Sequence, residues 1–142
     1  MTLRQRALNL LARREHSRVE LGRKLVRHAE EGDALDALLD DLEREGLLSN
    51  NRYAEALAHA RAGRHGSVRL KADLRDKGVP EAVSAEVLAQ ARGQDLEAAR
   101  AVWAKKFGAV PKDAAERARQ MRFLASRGFP AEIVRRVVGE ED

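Results

Sequence analysis

Residues 66–80, GSVRLKADLRDKGVP, read as one short helix with both ends written into it. Ser67 is placed as an N-cap, where its hydroxyl can accept a hydrogen bond from a first-turn amide that has no partner inside the helix. Gly78 can adopt the left-handed conformation that closes a helix, Val79 can fold back onto the last turn, and Pro80 starts the next element. Leu70 and Leu74, four apart, form one apolar edge. Lys71 and Arg75 lie about 100° round the helix from that edge and can stay in water while the leucines are buried.

About fifty residues later the chain repeats itself. In QMRFLASRGFPAEIV, Leu124, Gly128, Phe129 and Pro130 stand where the first stretch has Leu74, Gly78, Val79 and Pro80. A looser copy lies upstream in HSRVELGRKL, with Leu21 and Leu25 in the leucine positions and a Gly32-Asp33 junction after it. A period of roughly 45 to 50 residues marks a helical repeat array.

At the start of the chain, Thr2 and Gln5 have capping-box spacing ahead of Leu3, Ala7, Leu10 and Leu11. Ser17 and Glu20 form a second S-x-x-E box, Asp33 is placed to cap a third helix, and Gly46 to stop it. Repeat one then covers about 2–48. Repeat two, about 49–93, enters through LLSNNRYAEALAHARAG with Ser49 or Asn50 as cap and ends its first helix at Gly63. It continues with the helix of residues 67–77 and closes with one from Pro80 to Gly93. Repeat three, about 94–139, opens on an Asp95-capped helix, then one from Pro111 to Arg127, then one after Pro130. Nine helices and no strand are expected: an all-α, elongated and curved tandem array of three three-helix repeats. Residues 139–142 read as a frayed acidic tail.

The 142 residues are 44% hydrophobic and 35% charged, the composition of a folded soluble domain. Only 4% are aromatic, which points to thin helix-on-helix contacts. With no cysteine there is neither a disulfide nor a thiolate metal site, and a reducing cytoplasm is the expected home. No apolar run approaches a membrane span, and the charged N-terminus is unlike a signal peptide. The formal charge of +4, with basic residues in every repeat, fits a polyanionic partner or a well-solvated helical surface.

The strings RREHSRVELGRKL, GLLSNNRYAEA, GSVRLKADLRDKGVP and QMRFLASRGFP, in this order and spacing, resemble the RecX family of bacterial recombination regulators over essentially the whole chain. Two departures stand out: Asn50 occupies a position usually acidic in the family, and about three extra residues surround Glu30 and Glu31. The resemblance implies tandem three-helix repeats, no enzymatic activity, and a monomer that lodges in the groove of the RecA filament on DNA. Suppression of recombinase and co-protease functions, and so a place in homologous recombination, DNA repair and the SOS response, comes with it.

Chemistry is otherwise sparse. His16, His28, His59 and His65 stand apart at spacings unsuited to a metal set, and no nucleotide-binding loop or hydrolase elbow occurs. No catalytic residue, metal or cofactor is expected. Carboxylate pairs such as Asp40 and Asp41 read as helix surface. The cations carry the lead: Lys71 and Arg75 as an uncompensated pair, Arg61 and Arg64 beside them, Arg119, Arg122 and Arg127 in repeat three, and Arg23, Lys24 and Arg27 in repeat one. Arg127 has a second reading as a partner for its own helix's last carbonyls. Arg69 is expected to be neutralised by Asp73 and Asp76. Tyr53, Trp103, Phe107, Phe123 and Phe129 fall mostly at core spacings, so phosphate attraction without base readout is the expected mode, toward single-stranded and also double-stranded DNA. Rival readings are a helical DNA-binding protein that needs no recombinase and a repeat adaptor for acidic peptides. The 34-residue period of tetratricopeptide adaptors does not match.

Overall fold

The computed structural model describes residues 1–139, so the acidic tail lies outside the described residues beyond Gly139. These residues form eight α-helices and, among them, no strand: α1 Leu3–Arg13, α2 Arg18–Val26, α3 Leu35–Arg44, α4 Asn50–Arg61, α5 Ser67–Asp76, α6 Glu81–Lys106, α7 Ala114–Ser126 and α8 Ala131–Val138. The chain divides into two compact units, Met1–Ala56 with Leu74–Ser84, and Leu57–Asp73 with Ala85–Asp142.

In the first unit the i, i+3, i+4 leucines of α1, α2 and α3 converge. Ala7, Leu21, Leu25, Leu39, Leu42 and Leu48 are buried, with Leu3, Leu10, Leu11 and Leu38 packed on them. Each fully buried leucine contributes about 1.5–3 kcal/mol. The Thr2 capping box forms as expected: Gln5 N–H donates to Thr2 Oγ1 at 3.1 Å and Thr2 N–H to Gln5 Oε1 at 2.7 Å. Ser17 caps α2 by accepting from Glu20 N–H at 3.0 Å, and its own hydroxyl donates to the carbonyl of Lys77 at 2.6 Å. The reciprocal half of that box is replaced, because the Glu20 carboxylate is held by Arg14 at 2.6 Å. Asp33 does not cap α3; its carboxylate accepts from Glu30 N–H at 2.6 Å and closes the preceding turn, and Ala34 holds the N-cap position without a side-chain bond. Ser49, not Asn50, caps α4, through Arg52 N–H at 3.2 Å, while Asn50 Oδ1 accepts from Arg18 N–H at 2.9 Å.

In the second unit Ala99, Leu124, Phe129, Val134 and Val138 are buried, with Val102, Met121, Ile133 and Val137 against them. The cap of α7 is Asp113, which accepts from Glu116 N–H at 2.8 Å. Pro111 lies two residues upstream of that cap, so it does not open the helix as expected.

The two turns that decide the repeat have the expected conformation. Gly78 and Gly128 have φ of 70° and 85°. Val79 N–H returns to Leu74 O at 3.0 Å and Phe129 N–H to Leu124 O at 3.4 Å, the closing bonds of a left-handed helix end. Gly93 does the opposite. It lies inside α6, a single helix of 26 residues, so the nine expected helices become eight. A lone glycine lowers helix stability by only about 1 kcal/mol, and the Ala, Gln, Leu and Glu around it favour continuation.

That continuation changes two roles. Asp95, expected to cap a new helix, sits in mid-helix, buried, and accepts from both the N–H and the hydroxyl of Ser67, at 2.9 and 2.5 Å. Ser67 is therefore a donor, not a capping acceptor. The other early amides here also find partners: Gly66 N–H donates to Arg127 O at 2.9 Å and Val68 N–H to Gly128 O at 3.0 Å.

Candidate nucleic-acid interface

Two groups of cations stand out in the first unit. Arg4, Arg14, Arg18 and Arg52 are committed to Glu45, Glu20, Asp40 with Glu43, and Glu15 at 2.6–2.8 Å, and serve as scaffold. A second set surrounds an open cavity of about 460 Å³ whose floor includes Leu10 and Leu25 and whose rim carries Arg6, Arg13, Lys24 and Arg27, with no acid in the lining. Lys24 also reaches His16 Nε2 at 2.9 Å. His16 is buried; desolvation, aided by the Arg14 and Lys24 charges, lowers its pKa. The neutral ring then donates from Nδ1 to Arg14 O at 3.1 Å and accepts from Lys24 at Nε2. Glu20, within 3.9 Å of Lys24 and of Lys77 besides its Arg14 contact, has the opposite balance: burial pushes its pKa up, but the Arg14 hydrogen bond and the surrounding positive charge bring it below the ordinary value.

Two further first-unit candidates behave differently. Arg23 donates to the carbonyl of Asp76 at 2.8 Å, covering the end of α5. Arg75 stands 3.9 Å from Glu81, and with side chains 70% and 92% exposed the pair is too well solvated to count as compensation. Arg75 thus has an acid within reach that the sequence did not indicate, but keeps its donors exposed. Arg27 has no acid partner among the described residues.

In the second unit Lys71 and Arg122 are exposed and without an ion-pair partner among the described residues. Arg61 is not an open flank of the α5 cations: its Nη2 lies 2.8 Å from Asp73 Oδ2, off the hydrogen-bond direction, so that oxygen is charge-paired without being hydrogen-bonded. Arg69 is the weaker partner of the same carboxylate at 3.9 Å. Arg64 donates to Ala60 O. Arg119 makes two bonds to Glu116, each 3.1 Å, which lower that carboxyl's pKa and raise the guanidinium's. A guanidinium carries five donors, so each of these retains N–H groups for an anion.

The aromatics depart from the sequence reading in part. Tyr53 and Phe129 are buried, and Trp103 is half-buried with Nε1–H donating to Gln120 Oε1 at 2.8 Å. Phe107 and Phe123 instead meet edge to face, ring centres 5.5 Å apart, under three cations: Arg119 over Phe107 at 5.4 Å, and Lys106 and Arg127 over Phe123 at 5.3 and 5.0 Å. Along α7 and its C-cap this gives cation, ring, cation at 119, 123 and 127. The Phe123 and Arg127 spacing was legible; the Phe107 partnership, made through the bend between α6 and α7, was not. His65 stands apart from the other histidines in sequence, yet arginines flank it at both i−4 and i+4.

Among the described residues no three His, Asp or Glu side chains stand close enough to hold a metal ion, and no helix is long and apolar enough to cross a membrane. What the arrangement offers is hydrogen-bonding positive charge on helical faces, suited to phosphate.

Comparison with known proteins adds a lineage. Family models described as the first, second and third three-helix domains of RecX match residues 4–42, 49–88 and 93–138. A protein named "Regulatory protein RecX" from Ralstonia pickettii (strain 12J) is 49% identical over 142 residues, all of this chain and 89% of the relative. Its namesake from Leptothrix cholodnii is 46% identical over 138 residues, 97% of this chain and 88% of the relative. Two solved structures, each 19% identical, share the fold. The crystal structure of RecX from Lactobacillus salivarius has a TM-score of 0.78 over 96% of this chain and 92% of its own. A second crystal structure of regulatory protein RecX has a TM-score of 0.81 over 98% and 72%.

Proposed function

The chain belongs to the RecX family of regulatory proteins, and on that premise we propose that it binds the RecA recombinase filament on DNA and restrains recombinase and co-protease activity without catalysing a reaction. The observation that carries this reading is the set of cations with no acid partner among the described residues, Arg27 at the end of α2, Lys71 on α5 and Arg122 on α7. Such residues attract phosphates irrespective of sequence, which suits a protein that must act anywhere along a nucleoprotein filament. The mechanism is steric and electrostatic: a cytoplasmic monomer of helical repeats meets phosphates with its basic faces and acidic recombinase surface with others, and so bridges or blocks neighbouring subunits.

The test is ATP hydrolysis by the host recombinase on single-stranded DNA with this protein added. Hydrolysis should fall, and the recombinase-driven cleavage of its repressor substrate should fall with it. Unchanged hydrolysis at saturating protein would remove the proposal. A DNA-binding role independent of recombinase is the second reading, favoured if bare DNA is bound more tightly than the filament.

A further inference from the structure

His65 lies in the turn between α4 and α5, and its surroundings are unusual for a histidine with no metal and no catalytic partner. Four arginine charges act on the ring, from Arg69, Arg61, Arg127 and Arg64. Backbone geometry brings them there. His65 N–H donates to Arg61 O at 3.0 Å, Gly66 N–H ties the turn to Arg127 O at 2.9 Å, and Val68 N–H ties the start of α5 to Gly128 O at 3.0 Å. A Cβ built on Gly128 would stand 2.3 Å from Arg69 Cβ, so the α7–α8 turn lies directly against Arg69. Among the described residues the acid paired with these arginines is Asp73, with Arg61 at 2.8 Å and Arg69 at 3.9 Å.

Among the described residues the ring makes no hydrogen bond. His65 Nδ1 is buried without a partner. Desolvation first, and then the arginines, lower its pKa, so the ring is neutral at pH 7. A buried polar atom without a hydrogen bond carries a desolvation cost that a partner would relieve. An anion placed there would both separate the guanidiniums and favour the imidazolium.

Resting on the reading that the protein binds DNA, we propose that the His65 turn is a proton-linked site for a phosphodiester of the nucleic-acid backbone, held by Arg61, Arg64, Arg69 and Arg127, with the imidazole taking up a proton as the phosphate binds. Guanidinium forks suit a tetrahedral oxyanion. The cationic line continues from Arg127 over Phe123 to Arg119 over Phe107, two helical turns along α7. A continuing line of charge matches a polymer that repeats its phosphates better than a single acidic side chain. With the ring neutral in the free protein and charged in the complex, affinity is greatest below the free-state pKa and falls as pH rises through the bound-state pKa.

The experiment is an NMR titration of the four histidine rings of the full chain between pH 5 and 8.5, alone and saturated with oligothymidylate, whose bases do not titrate in that range. The same pH series of oligonucleotide affinity is measured for the parent and for His65→Gln. The expected result is that the His65 pKa rises by about one unit or more on binding, which corresponds to about tenfold in affinity per unit. His28 and His59 should move less, and His65→Gln should still bind while losing that pH-dependent increment. Equal movement of all exposed histidines, an unmoved His65 in a saturated complex, or an unaltered pH profile in His65→Gln would overturn the site while leaving DNA binding intact. Should poly-glutamate move His65 where oligothymidylate does not, the site is for protein carboxylates and the proposal fails. If oligothymidylate does not bind at any pH, the DNA reading fails and this site fails with it.

Discussion

Ser67 and Asp95 are joined twice, backbone N–H to one carboxylate oxygen at 2.9 Å and hydroxyl to the other at 2.5 Å, with both residues buried. The pairing satisfies the start of α5 with a group from the middle of α6. Replacing Asp95 with Ala leaves a buried amide and hydroxyl without acceptors, and should cost about 2–4 kcal/mol. Ser67→Ala removes only the hydroxyl bond and should cost less, about 1–2 kcal/mol. Urea unfolding of both variants checks the order; equal and small losses would mean water replaces the carboxylate at no cost.

Gly128 and Gly78 should respond unequally to alanine. Both have positive φ, a strain of about 1 kcal/mol for alanine. At Gly128 the added Cβ also meets Arg69 Cβ at 2.3 Å and Arg69 N at 2.8 Å, whereas at Gly78 it meets the Val19 side chain, Cγ2 at 2.4 Å. Turning Val19, which is 37% exposed, relieves the Cγ2 contact but not the Cβ one at 2.7 Å, so α2 must give slightly; at Gly128 the Arg69 backbone itself stands in the way. Gly128→Ala is expected to lose about 3 kcal/mol and Gly78→Ala about 1–2. A thermal melt in which Gly78→Ala is the worse variant would contradict the contacts.

Acid should weaken the fold in two stages. His16 and His65 have lowered pKa values in the folded state, so the unfolded chain protonates first, near pH 6.5, and stability declines from there as pH falls. Glu20 is also lowered, so its contribution is present above the unfolded carboxyl value of about 4.3 and is lost as pH falls through the folded one. His16→Gln should reduce the slope of stability with pH in the first stage and leave the second; Glu20→Gln should do the reverse. Unfolding free energies measured at half-unit steps from pH 3 to 8 test this.

Exposed and committed cations should separate binding from stability. Lys71→Ala, Arg122→Ala and Arg27→Ala should each leave stability within about 0.5 kcal/mol, and any residue that meets one phosphate should lower the single-strand salt slope by about 0.7. Arg61→Ala should destabilise, since it leaves Asp73 largely uncompensated, and should also weaken binding through the His65 turn. Fluorescence anisotropy across a salt series, set beside urea unfolding, checks both. Salt slopes identical to the parent in all three surface variants would place the DNA contacts elsewhere.

The legible parts of this chain are those decided within a few residues. Thr2 with Gln5, Ser17 with Glu20 N–H, and the glycine turns at 78 and 128 are local geometry, and pattern sufficed for them. Gly93 misled because a glycine signals a stop only when something else ends the helix there, and here nothing does. Ser67, Asn50 and Asp33 were recognised as polar end residues, but which donor or acceptor each would choose was decided by groups far away or by an earlier turn. For the site, exposed Lys71 and Arg122 could be read from helical phase. The Arg61 pairing could not, because Asp73 sits on another helix, and His65 was missed because each of its four arginines is unremarkable alone.

The continuity of α6 also limits how far the repeats are interchangeable parts. A cut or graft at residue 93, where repetition in the sequence suggests a seam, would sever a helix and take Asp95 away from Ser67. A fragment ending there would carry the second repeat's own residues and lack the carboxylate that completes its central helix. Exchanges between relatives should therefore keep the serine and the aspartate in one parent, with the crossover moved to the turn after Lys106 or before Asn50.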